Sequence, residues 1–187
     1  MNFAAAPLAI PDLILLTPKV FRDPRGQFSE TYRKDFLASI GRDIDFVQEN
    51  HAISHQAGTV RGLHFQRPPA AQTKLVRVVK GAILDVAVDI RRGSPTYGQS
   101  VAVELTAAKG KQLLVPQGFA HGFCTLEPDT EVLYKCDSYY APELEGGLRY
   151  DDPALGIVWS AATVEVVVND RDASFPGLSE LDSPFTM

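Results

Sequence analysis

The octet "TVRGLHFQ" (residues 59–66) sets His64 between Leu63 and Phe65 in what otherwise reads as an apolar strand. Side chains alternate along a strand, so His64 points away from the face that Leu63 and Phe65 would pack. A histidine so placed is a metal ligand, a base or a hydrogen-bonded core residue. Lys74 opens the run "KLVRVVKG" (74–81), and Tyr134 lies in "EVLYKCD" (131–137), on one face with Val132 and Cys136. Histidine titrates near neutrality and can take a proton. A fixed cation stabilises negative charge that develops on an oxygen. Together they suit removal of a hydrogen next to a carbonyl, with Lys74 near the enolate oxygen. A phenol such as Tyr134, donating from the opposite face, would turn exchange into inversion. Such a base needs an acceptor on its second ring nitrogen, usually a carboxylate. Each residue also has a plain structural alternative: a satisfied core histidine, a sheet tyrosine, a surface lysine at a strand start.

The elements that must position these groups are short strands. "ILDVAVDI" (83–90) alternates, with Leu84, Val86, Val88 and Ile90 on one face and Asp85 and Asp89 on the other. "KLVRVVKG", "SVAVELTA", "KQLLVP", "FAHGFCTL" and "TEVLYKCDSYY" are further strands separated by Gly, Pro and Asp. One helical patch, "RKDFLASIG" (33–41), ends on a glycine. A succession of strands with one minor helix predicts an all-β sandwich or jelly roll. At 187 residues the chain holds one good core rather than two.

Composition narrows the function classes. A net charge of −5 argues against non-specific nucleic-acid binding, which needs a dominant positive field, yet leaves room for an anionic ligand in a locally basic cleft. Cys124 and Cys136 have no CxxC partner and read as buried small hydrophobes in a reduced compartment. The apolar start "MNFAAAPLAIPDLILL" lacks a basic n-region and is broken by Pro7, Pro11 and Asp12, so it reads as a first strand rather than a signal peptide. No run reaches transmembrane length. The expected location is the cytoplasm, with no membrane partner.

Two spacings resemble the motifs of the cupin superfamily, a double-sheet β-barrel. Gly58, five residues, His64 and a later Gly81 resemble its first motif; Gly110, Pro116, Gly118 and His121 resemble its second, with Thr125 where asparagine is usual. Metal-binding cupins place His-x-His and then a glutamate in the first motif. Here Gln66 replaces the second histidine, and Lys74 stands near the glutamate's place. An ammonium has no lone pair to offer a cation and adds repulsion. His64 and His121 alone are a thin set for zinc or iron. The expectation is therefore a cupin-like jelly-roll barrel with a few short helices, an inward polar cluster, no metal and no cofactor.

Nearly the whole chain resembles the dTDP-4-dehydrorhamnose 3,5-epimerase family. The resemblance is carried by "FRDPRGQFSETY" (21–32), "VQENHAIS" (47–54), "GTVRGLHFQRPPAAQTKLVRVVKG" (58–81), "DVAVDIRRGSPTYG" (85–98), "VPQGFAHGF" (115–123), "EVLYKCDSYYAPELEGGLRYDDPALGIVW" (131–159) and "NDRDASFP" (169–176), in the family's order. It implies His64 as general base, Tyr134 as opposing general acid, Lys74 facing the C4 oxygen, and Asp172 orienting His64, with Asp170 as runner-up. It also implies that Arg25, Glu30, Gln48, Asn50, Arg61, His121, Glu145 and Arg171 hold the nucleotide sugar, and that Tyr140 stacks on thymine. The substrate implied is dTDP-4-dehydro-6-deoxy-D-glucose, epimerised at C3 and C5 for dTDP-L-rhamnose synthesis, by a homodimer whose N-terminal segment crosses to the partner. The rival readings are a single-site (C5 or C3) epimerase, a ketoisomerase, a non-catalytic sugar-binding cupin and a metal-dependent oxygenase. Departures lie at the rim: Gly146–Gly147 for a basic–glycine pair, Tyr150 for tryptophan, Arg171 for lysine. Arg61 and His64 also differ in strand parity, so a regular strand would not aim both inward.

Overall fold

Alternating side chains sort this chain into an inside and two outsides. The computed structural model describes residues 2–159 and 165–187. Its strands are β1 (Phe3–Pro7), β2 (Ile14–Pro18), β3 (Phe21–Asp23), β4 (Gly26–Phe28), β5 (Gln48–Ser54), β6 (Val60–Gln66), β7 (Lys74–Lys80), β8 (Ala82–Asp89), β9 (Ser100–Thr106), β10 (Gln112–Val115), β11 (Phe119–Thr125), β12 (Thr130–Cys136) and β13 (Glu145–Gly147). They form a six-stranded sheet in the order β1-β2-β10-β7-β12-β5 and a five-stranded sheet in the order β13-β6-β11-β8-β9. The separate hairpin β3–β4 joins neither. The two large sheets pack face to face as the jelly-roll barrel that the sequence predicts.

Three apolar clusters hold the layers together. Between the sheets lie Val76, Val78, Ile83, Ala87, Leu113, Phe123 and Val132, contributed by both. Outside the five-stranded sheet, Leu63, Phe65, Val86, Val88 and Ile90 are covered by the C-terminal segment through Leu148, Leu155 and Trp159. Helix α1 (Lys34–Ser39) presses Phe36 and Leu37 on Leu16, Leu75 and Leu114 outside the six-stranded sheet. Gly41, at φ +76°, ends the helix as expected, its N–H donating to Ala38 O at 3.0 Å. A second helix, α2, is the single turn Asp170–Ala173.

The structure corrects one expectation and extends another. The apolar N-terminus was read as one strand, yet it forms the antiparallel pair β1 and β2, because the chain reverses between Pro7 and Ile14. In β8 both faces are buried: the valines point out under the C-terminal segment, while Asp85 and Asp89 are fully enclosed. Asp89 accepts from Arg91, Ser94 and Thr96; Asp85 meets His121 through Oδ1, while its Oδ2 is buried with no hydrogen-bond partner among the described residues. No helix among the described residues is long and apolar enough to cross a membrane.

The parity of Arg61 and His64 has a local explanation. Along β11, His121 pairs with His64 but Phe123 pairs with Arg61, so three steps on β6 match two on β11. This bulge puts both side chains on the inner face. Gly62 makes it possible at φ +122°; a methyl group there would stand 2.6 Å from Gly122 Cα and 2.7 Å from His121 O. The two main chains therefore cross glycine on glycine beside His64.

Candidate active site

Polar residues occupy the inward positions at one end of the barrel. From the five-stranded sheet come His64 and Gln66 on β6, His121 on β11 and Asp85 on β8; from the six-stranded sheet come Gln48 and Asn50 on β5, Lys74 on β7 and Tyr134 on β12. All but the enclosed Asp85 line two adjoining lobes of about 270 and 280 Å3 that share His64, Lys74, Tyr134, Tyr140 and Glu145. His64 and Tyr134 thus belong to opposing walls of one cavity, and Lys74 lies on the strand beside Tyr134's.

His64 Nε2 is 2.9 Å from Asp172 Oδ1. Asp172 is 1% exposed, and its Oδ2 accepts the Gly62 N–H at 3.0 Å. Burial alone would raise this carboxyl's pKa, but the bonds from His64 and Gly62 outweigh it and hold the pKa below the usual range. An ionised Asp172 keeps a proton on Nε2 and leaves Nδ1 with the lone pair of a base. Asn169 caps α2, its Oδ1 accepting the Asp172 N–H at 2.7 Å, and so fixes the carboxylate's own main chain. Asp170, the alternative partner, is exposed.

On the facing wall, burial shifts two groups in opposite senses. Tyr134 is pushed up by burial, with Cys136 adding to the shift and a hydrogen bond with Asn50 opposing it, so it stays a phenol well into alkaline solution. Lys74 is pushed down by burial, with Cys136, Asp85 and Glu145 pulling the other way. A nearby cation that is poorly hydrated is strongly attracted to any new anion in the cavity. Beside His64, His121 Nε2 lies 2.6 Å from Asp85 Oδ1, a second histidine–carboxylate pair on the same sheet.

At the mouth, the Tyr140 hydroxyl donates to Glu145 Oε2 at 2.9 Å, and Arg171 Nη1 donates to the same oxygen at 2.8 Å. Arg171 also approaches Asp172 and His64, at 3.4 and 3.5 Å. Arg61 donates to Ser54 Oγ and Ile53 O, both at 3.1 Å, and lines the lobe of His121. Arg25 and Glu30 stand apart from the cavity in the single chain. Arg25 is 89% exposed on the β3–β4 hairpin and pairs with Asp23, while Glu30 accepts from Asn2 at 2.7 Å. Asp85 and Asn169 escaped the sequence reading, although each left a signal: an aspartate alternating with valines, and an asparagine directly before "DRDA". Among the described residues no group of three or more His, Cys, Asp or Glu side chains gathers as an ion's ligands would.

A double-sheet barrel with an oriented histidine facing a half-buried phenol and lysine defines a class: the cupin-type sugar epimerases that work by proton transfer at carbon. The family model described as dTDP-4-dehydrorhamnose 3,5-epimerase matches residues 7–180. A Sinorhizobium fredii dTDP-4-dehydrorhamnose 3,5-epimerase is 49% identical over 95% of this chain and 91% of its own. The Bacillus anthracis enzyme, solved with TDP and PPi bound, superposes with a TM-score of 0.89 at 45% identity, covering 94% of this chain and 99% of its own. A Legionella pneumophila epimerase in complex with dTDP-4-keto-L-rhamnose superposes with a TM-score of 0.89 at 40% identity, over 96% and 95%. The chain belongs to the dTDP-4-dehydrorhamnose 3,5-epimerase family, and it is an isomerase.

Proposed function

We propose that this chain converts dTDP-4-dehydro-6-deoxy-D-glucose into dTDP-4-dehydro-L-rhamnose by inverting C3 and C5, with His64, Tyr134, Lys74 and Asp172 as the reacting set. The observation that carries this reading is the placement of His64 and Tyr134 on opposing sheets across one cavity. His64 takes the proton from the carbon next to the C4 ketone. The C–H electron pair becomes the C=C bond, and the carbonyl pair moves to the C4 oxygen as an enolate beside the Lys74 ammonium. Tyr134 then gives its proton to the other face of that carbon as the enolate collapses. Exchange with water resets both groups, and the cycle repeats at the second carbon. A proton leaves and a proton arrives, so no oxidation state changes and no redox cofactor enters.

Gln48, Asn50, Arg61, His121, Glu145 and Arg171 hold the sugar nucleotide in this reading, with Tyr140 against the thymine. Arginine suits the diphosphate because its planar fork gives two parallel hydrogen bonds. A local group of cations in an acidic protein draws the anionic substrate to one mouth. Incubation with the 4-keto sugar nucleotide in D2O is expected to place deuterium at both C3 and C5. Label at a single carbon would instead assign a single-site epimerase, and none, with binding intact, would sink the enzyme reading.

The protein acts as a homodimer in the cytoplasm in this reading. The β3–β4 hairpin supports it: a separate ribbon, with Phe21 and Phe28 exposed, carries Arg25 away from the chain's own cavity. A second copy would cover those rings and take Arg25 and Glu30 to its mouth. The free thiols of Cys124 and Cys136 suit a reducing compartment. Sedimentation equilibrium is expected to give twice the chain mass, and Arg25→Ala to weaken dTDP binding. A monomer would remove the dimer from the reading, and unchanged dTDP binding would remove the crossing.

A further inference from the structure

Residues 137–141 carry Tyr139 and Tyr140 to the cavity mouth, yet they belong to no strand or helix. Beyond the Asp137 N–H to Thr73 O at 3.3 Å and the Leu144 N–H to Ala141 O at 3.0 Å, the bonds to their main chain come from glutamine side chains. Gln72 Nε2 donates to Ser138 O at 2.8 Å, and Tyr140 N–H donates to Gln48 Oε1 at 2.9 Å. Gln66 takes both flanks of Tyr140: its Nε2 donates to Tyr139 O at 3.1 Å, and its Oε1 accepts the Ala141 N–H at 2.8 Å. The second amide hydrogen of Gln66 goes to Ala70 O at 2.7 Å, which ties down the loop before β7 as well. With both amide hydrogens used and 4% exposure, Gln66 has no donor left for a ligand. It stands two residues after His64 on β6, so one strand carries the base and grips the rim.

We infer that Gln66 is a positioning residue for nucleotide recognition: its amide sets the place of Tyr140 over the cavity, and with it the affinity for the nucleoside diphosphate. This rests on the reading of Tyr140 as the aromatic that stacks on thymine. A stacked ring contributes only when its plane meets the base at contact distance. Tyr140 is 54% exposed, so packing alone does not hold the ring there. Gln48 holds the Tyr140 N–H and Glu145 its hydroxyl, while the bonds to both flanking residues come from one side chain, Gln66. The glutamine that stands where metal-binding cupins have a histidine therefore grips main chain.

Gln66→Met keeps the length and the apolar stem while removing the amide. Kd for dTDP and KM for the sugar nucleotide are each expected to rise about tenfold, within the range of one lost base–aromatic stack. At saturation kcat is expected to stay within about twofold, since uniform binding is what is lost. Tyr140→Ala is expected to weaken dTDP binding at least as much. The double variant should bind dTDP no more weakly than Tyr140→Ala alone, because Gln66 acts through the ring. Unchanged dTDP affinity in Gln66→Met, with Tyr140→Ala weakened, overturns the inference. Unchanged affinity in Tyr140→Ala overturns the stacking reading beneath it. A fall in kcat with dTDP affinity intact also overturns the inference, since it would put Gln66 at the reacting carbons. Should Gln66→Met not fold, Gln72→Met frees only Ser138 O at the far flank. It is expected to raise Kd for dTDP about threefold, a fraction of the same stack, and to add nothing to Tyr140→Ala. No rise in Gln72→Met, or a rise that persists without the ring, counts against the positioning role.

Discussion

His64→Ala is expected to lower kcat by roughly 100- to 10,000-fold, the range for a positioned general base, while Kd for dTDP changes little. The separation follows from the architecture. His64 reaches the cavity where the two lobes meet, whereas Tyr140, Arg61 and Arg171 stand at the mouth or in one lobe. Deuterium incorporation from D2O should fall in step with turnover, because proton removal precedes every later event. Exchange that persists at the wild-type rate would assign the base elsewhere. The same substitution should alter the acid side of the stability profile. Asp172 has its pKa lowered in the folded state, so its stabilisation is complete above the ordinary carboxylate pKa and is lost as pH falls through the lowered one. Without His64 that lowering shrinks, leaving the Gly62 N–H and Arg171 as the remaining partners. Thermal melts of His64→Ala are therefore expected to lose less stability between neutral and acid pH than those of the wild type.

Lys74→Met is expected to cost about 100- to 1,000-fold in kcat, as for loss of a group aimed at a developing oxyanion. Methionine keeps the length and the apolar stem and removes only the charge. Lys74 also sets a pH limit. Its pKa is lowered by burial, so the ammonium is lost as pH rises through a value below the ordinary lysine range, while the phenol of Tyr134 persists. The alkaline fall in kcat should accordingly track Lys74. Arginine at this position cannot lose its charge in that window. Whatever activity Lys74→Arg retains should therefore hold to higher pH. An alkaline limb at the same pH in both enzymes would remove Lys74 as its cause.

Most of the barrel was legible because each strand carries its own alternation, and "ILDVAVDI" and "KLVRVVKG" fall on β8 and β7 within a residue or two. Alternation also says which residues share a face, so His64 opposite Leu63 and Phe65 could be read directly. It does not say which face is inside when both are buried, and that is why Asp85 passed unnoticed as a partner of His121. A bulge shifts parity without any mark in the hydrophobic pattern. Gly62 was its one trace, and the aim of Arg61 waited on the register of β6 against β11. The gathering of Asp172 with His64 joins residues 108 positions apart, beyond the reach of any local pattern. Resemblance pointed to that pair, and the geometry now shows its hydrogen bond. Arg25 and Glu30 answer to a different scale again, since a single chain leaves them outside its own cavity.

The two ends of the site are built from different materials. Around His64, position is set by main chain crossing main chain at Gly62 and Gly122, where no larger residue fits without moving two strands. Around Tyr140, position is set by replaceable side chains that reach a loop from outside it. With Tyr140 read as the platform for the base, evolution or an engineer can revise which nucleotide is carried while leaving the proton chemistry proposed for His64 untouched. The reverse change would require rebuilding the sheet.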